Sequence, residues 1–213
     1  IPANPSIAQQ IADQVPDTEK AIKRLRHLGN GSSESAPLAA SVLIRIKPTW
    51  RPTASNVNLK GACLSGIDWN GIRLTGTLLR AANLSAANLS FAQLKAVDAS
   101  TAELSDARFD GASMSKTSFQ NAELRNSNFT DAFGENPKFT GADLRGADLS
   151  KAKFSEARFT EADLREARFF TADLIGSYLR MTRIEGTDFR NALLHQADLR
   201  GLTLRDSLVD GAD

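Results

Sequence analysis

Three side chains in this sequence belong to the types that most often hold zinc or supply an activated thiol: Cys63, His27 and His195. One cysteine and two scattered histidines provide neither four ligands at metal-binding spacing nor a disulfide. A nucleophilic pair needs a base within hydrogen-bond reach of the nucleophile, and the sequence offers His195 no obvious nucleophile partner, so it reads as a surface residue. No glycine-rich phosphate loop is present. The sequence therefore predicts no catalytic residue, no cofactor site and no metal site. What remains are charges at a fixed interval. Arg125, Arg145, Arg165 and Arg205 recur every twenty residues with Glu185 in the same series, while Glu103, Glu123, Asp143 and Asp163 lead to Arg183 in a second series. Where one series changes sign so does the other, which keeps acid beside base. Two chemistries fit: mutual neutralisation, or an arginine strip that binds phosphate or an acidic partner.

Such an interval needs an element that repeats with it. From Val57 onward the chain divides into fives, and every residue whose number ends in 4 or 9 is a centre. Leu59 to Val209 contain 31 centres, of which 25 are Leu or Phe; the others are Trp69, Ala99, Met114, Gly134, Ile184 and Val209. Two positions before the centre a small residue dominates. A five-residue step turns an ideal helix by roughly 500°, and in a flat strand an odd step reverses the face, so neither element collects the centres. A chain that turns a corner after each five does collect them.

The units ADL at 142 to 144, 147 to 149, 162 to 164, 172 to 174 and 197 to 199, with ANL at 82 to 84 and 87 to 89, resemble the pentapeptide-repeat family. The resemblance implies an all-β solenoid, a right-handed quadrilateral β-helix with four pentapeptides per coil. At 157 residues this gives about eight coils, with a short, partly helical N-terminal cap. The expected division is residues 1–56 for cap and linker and 57–213 for the β-helix. One subset of the family, the topoisomerase-protecting Qnr-like proteins, mimics DNA through strongly acidic surfaces and commonly carries projecting loops. Here residues 57–213 hold 19 bases against 21 acids and no insertion interrupts the period. A near-neutral rod copies a polyanion poorly.

The first 56 residues lack the period. Residues 6–15 and 17–29 suit short helices, with Asp17 as N-cap and Gly29 as C-terminal stop; residues 38–46, LAASVLIRI, suit a strand or turn of helix over the first coil. The basic residues Lys20, Lys23, Arg24 and Arg26 allow a weak membrane-surface contact over residues 20–26. The apolar run Leu38 to Ile44 is far shorter than the ~20 residues that span a bilayer, so no transmembrane helix is predicted. The single cysteine leans toward a reducing, cytoplasmic compartment.

Within the repeat the chemistry falters only at DAFGENPKF, residues 131–139, where Gly134 is a centre, Pro137 takes a small-residue position and Phe133 stands where Asp or Asn is usual. A local bulge that presents Phe133 is expected. Phe170, Ile175 and Tyr178 are further apolar residues at outward positions. Together with Arg125, Arg145, Arg165 and Arg205 these form the candidate partner surface. The expected function is a non-enzymatic protein-interaction or scaffold module of a longer bacterial-type protein, as the start at Ile1 and the half-unit DGAD at the end suggest. Protection of a type II topoisomerase is the alternative. The partner is expected to be a protein, with no direct nucleic-acid binding, and the uncapped C-terminal end predicts further repeats or end-to-end homodimerisation.

Overall fold

The computed structural model describes residues 4–14, 19–30, 34–204 and 206–213; Asp17 and Arg205 lie outside them. Among the described residues three helices precede the repeat: α1 (Pro5–Gln14), α2 (Glu19–Gly29) and α3 (Ala36–Ile46). Residues 38–46 thus resolve as helix. Pro37 sits in the first turn, where its fixed φ suits a helix start. Ala40 and Leu43 join the core of the repeat, while α1 and α2 pack on α3, so that Ala36, Pro37 and all of Ala39 to Leu43 are buried. α2 ends at Gly29 in a close approach: a Cβ there would lie 3.1 Å from both Leu43 Cδ1 and Trp50 Cζ2. Leu25 of α2 also packs against the core.

The rest is parallel pairing at one interval. Each bridge joins a residue to the one twenty positions later, as in Asn58 to Leu78, Leu78 to Asp98 and so on to Tyr178 with Asp198. Four such ladders run along the chain, so a coil is four pentads with four sides. Side I carries ladder residues 63 to 183, side II 68 to 208, side III 73 to 193 and side IV 58 to 198.

Within a pentad, four of the five backbone N–H groups are satisfied by backbone. The centre donates to the next coil, as Leu64 does to Asn83 at 2.7 Å; the residue before it donates to the previous coil, as Asn83 does to Ala62 at 2.9 Å; and the corner residue pairs forward, as Gly66 does with Ser85 at 2.8 Å. The small residue closes a turn on the preceding centre, as Ala62 does on Leu59 at 3.0 Å. The corner, third in that turn, has positive φ in every described pentad from Asn56 to Gly211, the signature of a type II turn. The fifth N–H belongs to the residue after the centre. It is taken by the Asp or Asn side chain two residues earlier, as in Ser85 to Asn83 Oδ1 at 3.0 Å and Ser150 to Asp148 Oδ1 at 2.9 Å. The acidic or amide residue of the repeat therefore has a backbone task before it has any surface role.

Centres and small residues fill the axis. Leu64, Leu84, Leu104, Leu124, Leu144 and Leu164 are buried on side I. On side II Phe109 stacks on Phe129 with ring centroids 4.7 Å apart, and Phe169 on Phe189 at 5.0 Å. Side IV holds a second aromatic column, Phe119, Phe139 and Phe159, at 5.2 and 4.9 Å. These distances match the ~4.8 Å separation of paired strands, so each ring meets its counterpart one coil on. Burying each Leu or Phe contributes ~1.5 to 3 kcal/mol, which is how the solenoid replaces a globular core.

Candidate functional site: outward sides and coil ends

Side I gathers three of the four candidate arginines. Arg145 donates from Nε and NH2 to both carboxylate oxygens of Asp143 at 2.9 and 2.8 Å, and Arg165 grips Asp163 in the same way at 2.8 and 2.6 Å. The local phrase Asp–Leu–Arg explains this. Asp and Arg flank an inward centre and so project side by side, while the same carboxylate also takes the Arg backbone N–H at 3.3 Å. The phrase Asp–Phe–Arg at 188 to 190 and Asp–Leu–Arg at 198 to 200 repeat the clamp.

Between coils the acids link further. Arg125 reaches Asp143 at 2.7 Å, and Arg183 reaches Asp163 at 3.6 Å. The neutralising lattice thus begins at Arg125. Arg125 reaches forward to Asp143, and Glu103 instead accepts from Asn83 at 2.5 Å. Hydrogen bonds from Arg145, then from Arg125, hold the Asp143 carboxyl well below the ordinary range. Burial pushes Asp163 upward, but bonds and charge from Arg165, with Arg183, outweigh it and the carboxyl is held low. Arg125, Arg145 and Arg165 border a shallow groove of about 270 Å³ with Asn126, Gly146 and Glu166. Their guanidiniums are already engaged by carboxylates.

The irregular pentad keeps its register. Phe133 bridges Ser113 and Lys153, and the ladder bonds Phe133 to Ala112 and Gly134 to Lys153 are intact at 2.9 and 3.0 Å, so the expected bulge is absent. The substitutions compensate one another. Phe133 cannot accept the Glu135 N–H, and the Ser115 hydroxyl of the preceding coil accepts it instead at 3.2 Å. A Cβ on Gly134 would sit 2.6 Å from Ser115 N and 2.8 Å from Met114 C, so no side chain fits. Phe154, one coil on, contacts Phe129 and Phe139 with centroids at 6.4 and 5.9 Å, the two centres flanking Gly134. Pro137 is buried in the wall, and Phe133 points outward at 49% exposure.

The remaining candidates do not form one patch. Phe170 is on side II, Ile175 on side III and Tyr178 on side IV. Arg190 lies over the Phe170 ring at 5.8 Å and Arg158 over Tyr178 at 5.7 Å, so both aromatics are already paired. Exposed apolar residues of the repeat missed by sequence reasoning are Leu78, Phe91, Met181, Leu193 and Leu208. All five stand at outward or corner positions of the five-residue frame, which is the signal that could have found them.

The amino-terminal coil edge is sealed. The buried Ser41 hydroxyl of α3 donates to Pro37 O at 2.7 Å and accepts the Cys63 N–H at 2.9 Å. Arg51 donates to the edge carbonyls of Asn70 and Asp68 at 2.7 and 3.3 Å, and Trp69 Nε1 donates to Trp50 O at 3.1 Å. Burial pushes the Cys63 thiol up, against the direction that would activate it. At the other end the last centres are open: Leu199 is 41% exposed, Leu204 58% and Val209 40%. His195 Nε2 lies 3.3 Å from Asp213 Oδ2. Among the described residues no group of His, Cys, Asp and Glu side chains is arranged as a metal would require, and no helix is long and apolar enough to cross a membrane.

No curated protein matches the chain by sequence. Among solved structures, a trypsin-treated variant of QnrB1, a plasmid-mediated fluoroquinolone resistance protein, superposes with a TM-score of 0.52 at 20% identity, covering 75% of this chain and 80% of that one. HetL, a pentapeptide repeat protein involved in heterocyst differentiation regulation in the cyanobacterium Nostoc, is 27% identical over 75% of this chain and 84% of its own, with a TM-score of 0.44. A pentapeptide repeat protein of the Arabidopsis thaliana thylakoid lumen is 31% identical over 46% of this chain and 69% of its own, with a TM-score of 0.46. The family description "Pentapeptide repeats" matches in eight copies, over residues 62–98, 102–133, 138–174 and 172–211. With that match over well over half its length, and backbone pairing whose interval is four such units, the chain belongs to the pentapeptide-repeat family.

Proposed function

We propose that this chain is a non-enzymatic protein-interaction or scaffold module that works through the flat sides and ends of a right-handed quadrilateral β-helix of about eight coils. The observation that carries the reading is the partition of chemistry. Inward positions from Val57 to Ala192 are almost all buried and apolar or small, while the charged residues of the repeat lie outside. A buried titratable group with a perturbed partner, the usual mark of a catalytic site, has no place in such an axis. The exposed centres Leu199, Leu204 and Val209 favour a covering at this edge, by further repeats, a second copy or a partner protein.

Protection of a type II topoisomerase by DNA mimicry is the competing reading, and the likeness to QnrB1 supports the fold alone at its level of identity. Mimicry of a polyanion asks for a continuous acidic surface. On side I Asp143 and Asp163 are instead clamped by arginines. DNA supercoiling by gyrase with a quinolone present tests the choice. No rescue is expected at stoichiometric protein, and rescue would replace this reading with topoisomerase protection.

A further inference from the structure

Summed along the chain, the repeat is nearly neutral; summed by side, it is not. Side IV carries six bases on the positions flanking its centres, Lys60, Arg80, Lys138, Arg158, Arg180 and Arg200, against two acids, Asp98 and Asp198. The solenoid holds 19 bases and 21 acids in all, so the remaining sides and corners hold 13 and 19. The flanking corners add Lys116, Glu156 and Glu161, and the surplus persists.

Two carboxylates on this side leave a surplus of four positive charges. Arg200 clamps Asp198 at 2.7 Å, but Arg80 and Arg180 lie 3.8 Å from their carboxylates with side chains about half exposed, at 53% and 48%. Lys60 and Lys138 have no ion-pair partner among the described residues. Between the bases the side presents hydroxyl and amide groups, Ser118, Gln120, Thr140 and Thr160, which can donate to a carboxylate.

We infer that side IV is a docking strip for an extended acidic peptide segment of a partner protein. This rests on the interaction-module reading and names its partner by chemistry. Charge complementarity supplies the attraction, and shape selects the class. Seven ladder steps from Asn58 to Asp198 at ~4.8 Å make the strip roughly 34 Å long, and a pentad side is about 10 Å across. That is the footprint of one extended chain of about ten residues, and is narrow for the ~800 Å² per partner of an ordinary globular interface. A single nucleic-acid strand would have a similar footprint, but binding one calls for several aromatic platforms on which bases stack. The one aromatic projecting from side IV, Tyr178, is already covered by the Arg158 guanidinium.

The test uses the whole chain with a fluorescein-labelled decapeptide of glutamates, and an oligothymidylate of equal charge as comparison, in low salt. The peptide is expected to bind with an affinity that falls as salt rises. Lys138→Glu with Arg158→Glu is expected to weaken it by at least about tenfold, whereas Lys95→Glu on side III changes it by less than about twofold. Circular dichroism checks that each variant folds. Independently of any variant, carbodiimide coupling of the peptide to the unaltered protein should join it to Lys60 and Lys138 rather than to Lys95 or Lys153. Absence of peptide binding, equal weakening by Lys95→Glu, coupling spread over all lysines, or tighter binding of the oligonucleotide each overturns the inference. The supercoiling assay above does not depend on side IV, so a failure here leaves the module reading to its own test.

Discussion

The first and last coils of this chain pose the same physical problem and differ in what meets it. Any coil edge leaves a row of backbone donors and acceptors and an open apolar axis. At the amino-terminal edge α3 lays Ala40 and Leu43 over the axis, Ser41 takes the Cys63 N–H, and Arg51 supplies donors to the carbonyls of Asp68 and Asn70. At the carboxyl-terminal edge Leu199, Leu204 and Val209 remain open. Closing a coil takes side-chain groups that imitate the missing coil, polar atoms at the rim and aliphatic ones at the centre. α3 can supply both because it is buried on several faces, Ser41 meeting the rim from one and Ala40 with Leu43 the axis from another.

If sealing is what distinguishes the ends, equivalent truncations should cost unequal amounts. Leu43→Ala is expected to destabilise by about 2 to 5 kcal/mol, as for a fully buried leucine whose site cannot collapse, read from denaturant melts. Ser41→Ala removes a buried hydroxyl that bonds in both directions and is expected to cost about 1 to 3 kcal/mol, with hydrogen exchange quickening first at the Cys63 amide. A loss at Leu43 no larger than at a surface site would dismiss α3 as a seal.

Acid should sharpen the contrast. The carboxyls held low by arginines, Asp143, Asp163, Asp188 and Asp198, all lie in the C-terminal half. Asp198, bonded chiefly by Arg200, is lowered to about 2. A carboxyl held lower in the fold than its ordinary value near 3.9 contributes stability that is complete above that value and is lost as pH falls toward the folded one. Between about pH 4 and pH 2, amide protection should therefore fade first after residue 140, and uniform fading would deny these clamps a role. The smallest effect is expected at Leu204→Ala, about 0.5 kcal/mol in the isolated chain. A larger cost there would mean that the open end is covered in solution.

Much of this was legible in the sequence, because the five-residue period fixes which residues face the axis. Leu164 and Phe169 could be placed inward, and Arg125, Arg145 and Arg165 on one side, before any coordinates. The partners of those arginines were not legible. Arg125 reaches Asp143 in the next coil, a choice that depends on side-chain reach and not on spacing. Nor was the fate of LAASVLIRI, since a short apolar run suits helix and strand equally and only the coil and helices packed around it decide between them. The period also suggested a bulge at DAFGENPKF, where Ser115, twenty residues before Glu135, supplies the missing acceptor. Phe170, Ile175 and Tyr178 looked like one group in sequence, yet consecutive pentads occupy consecutive sides and so part them.

The twenty-residue ladder has a consequence for how such a protein can change. Deleting a single pentad leaves every remaining unit able to pair and pack, yet turns all that follows by a quarter of a coil. The segment carrying Tyr178, Arg180 and Arg200 would then continue another side, and the basic strip would break while the core survived. Gain or loss of four pentads together preserves every alignment. In this architecture the length of an insertion, more than its composition, decides whether a surface is inherited or reshuffled.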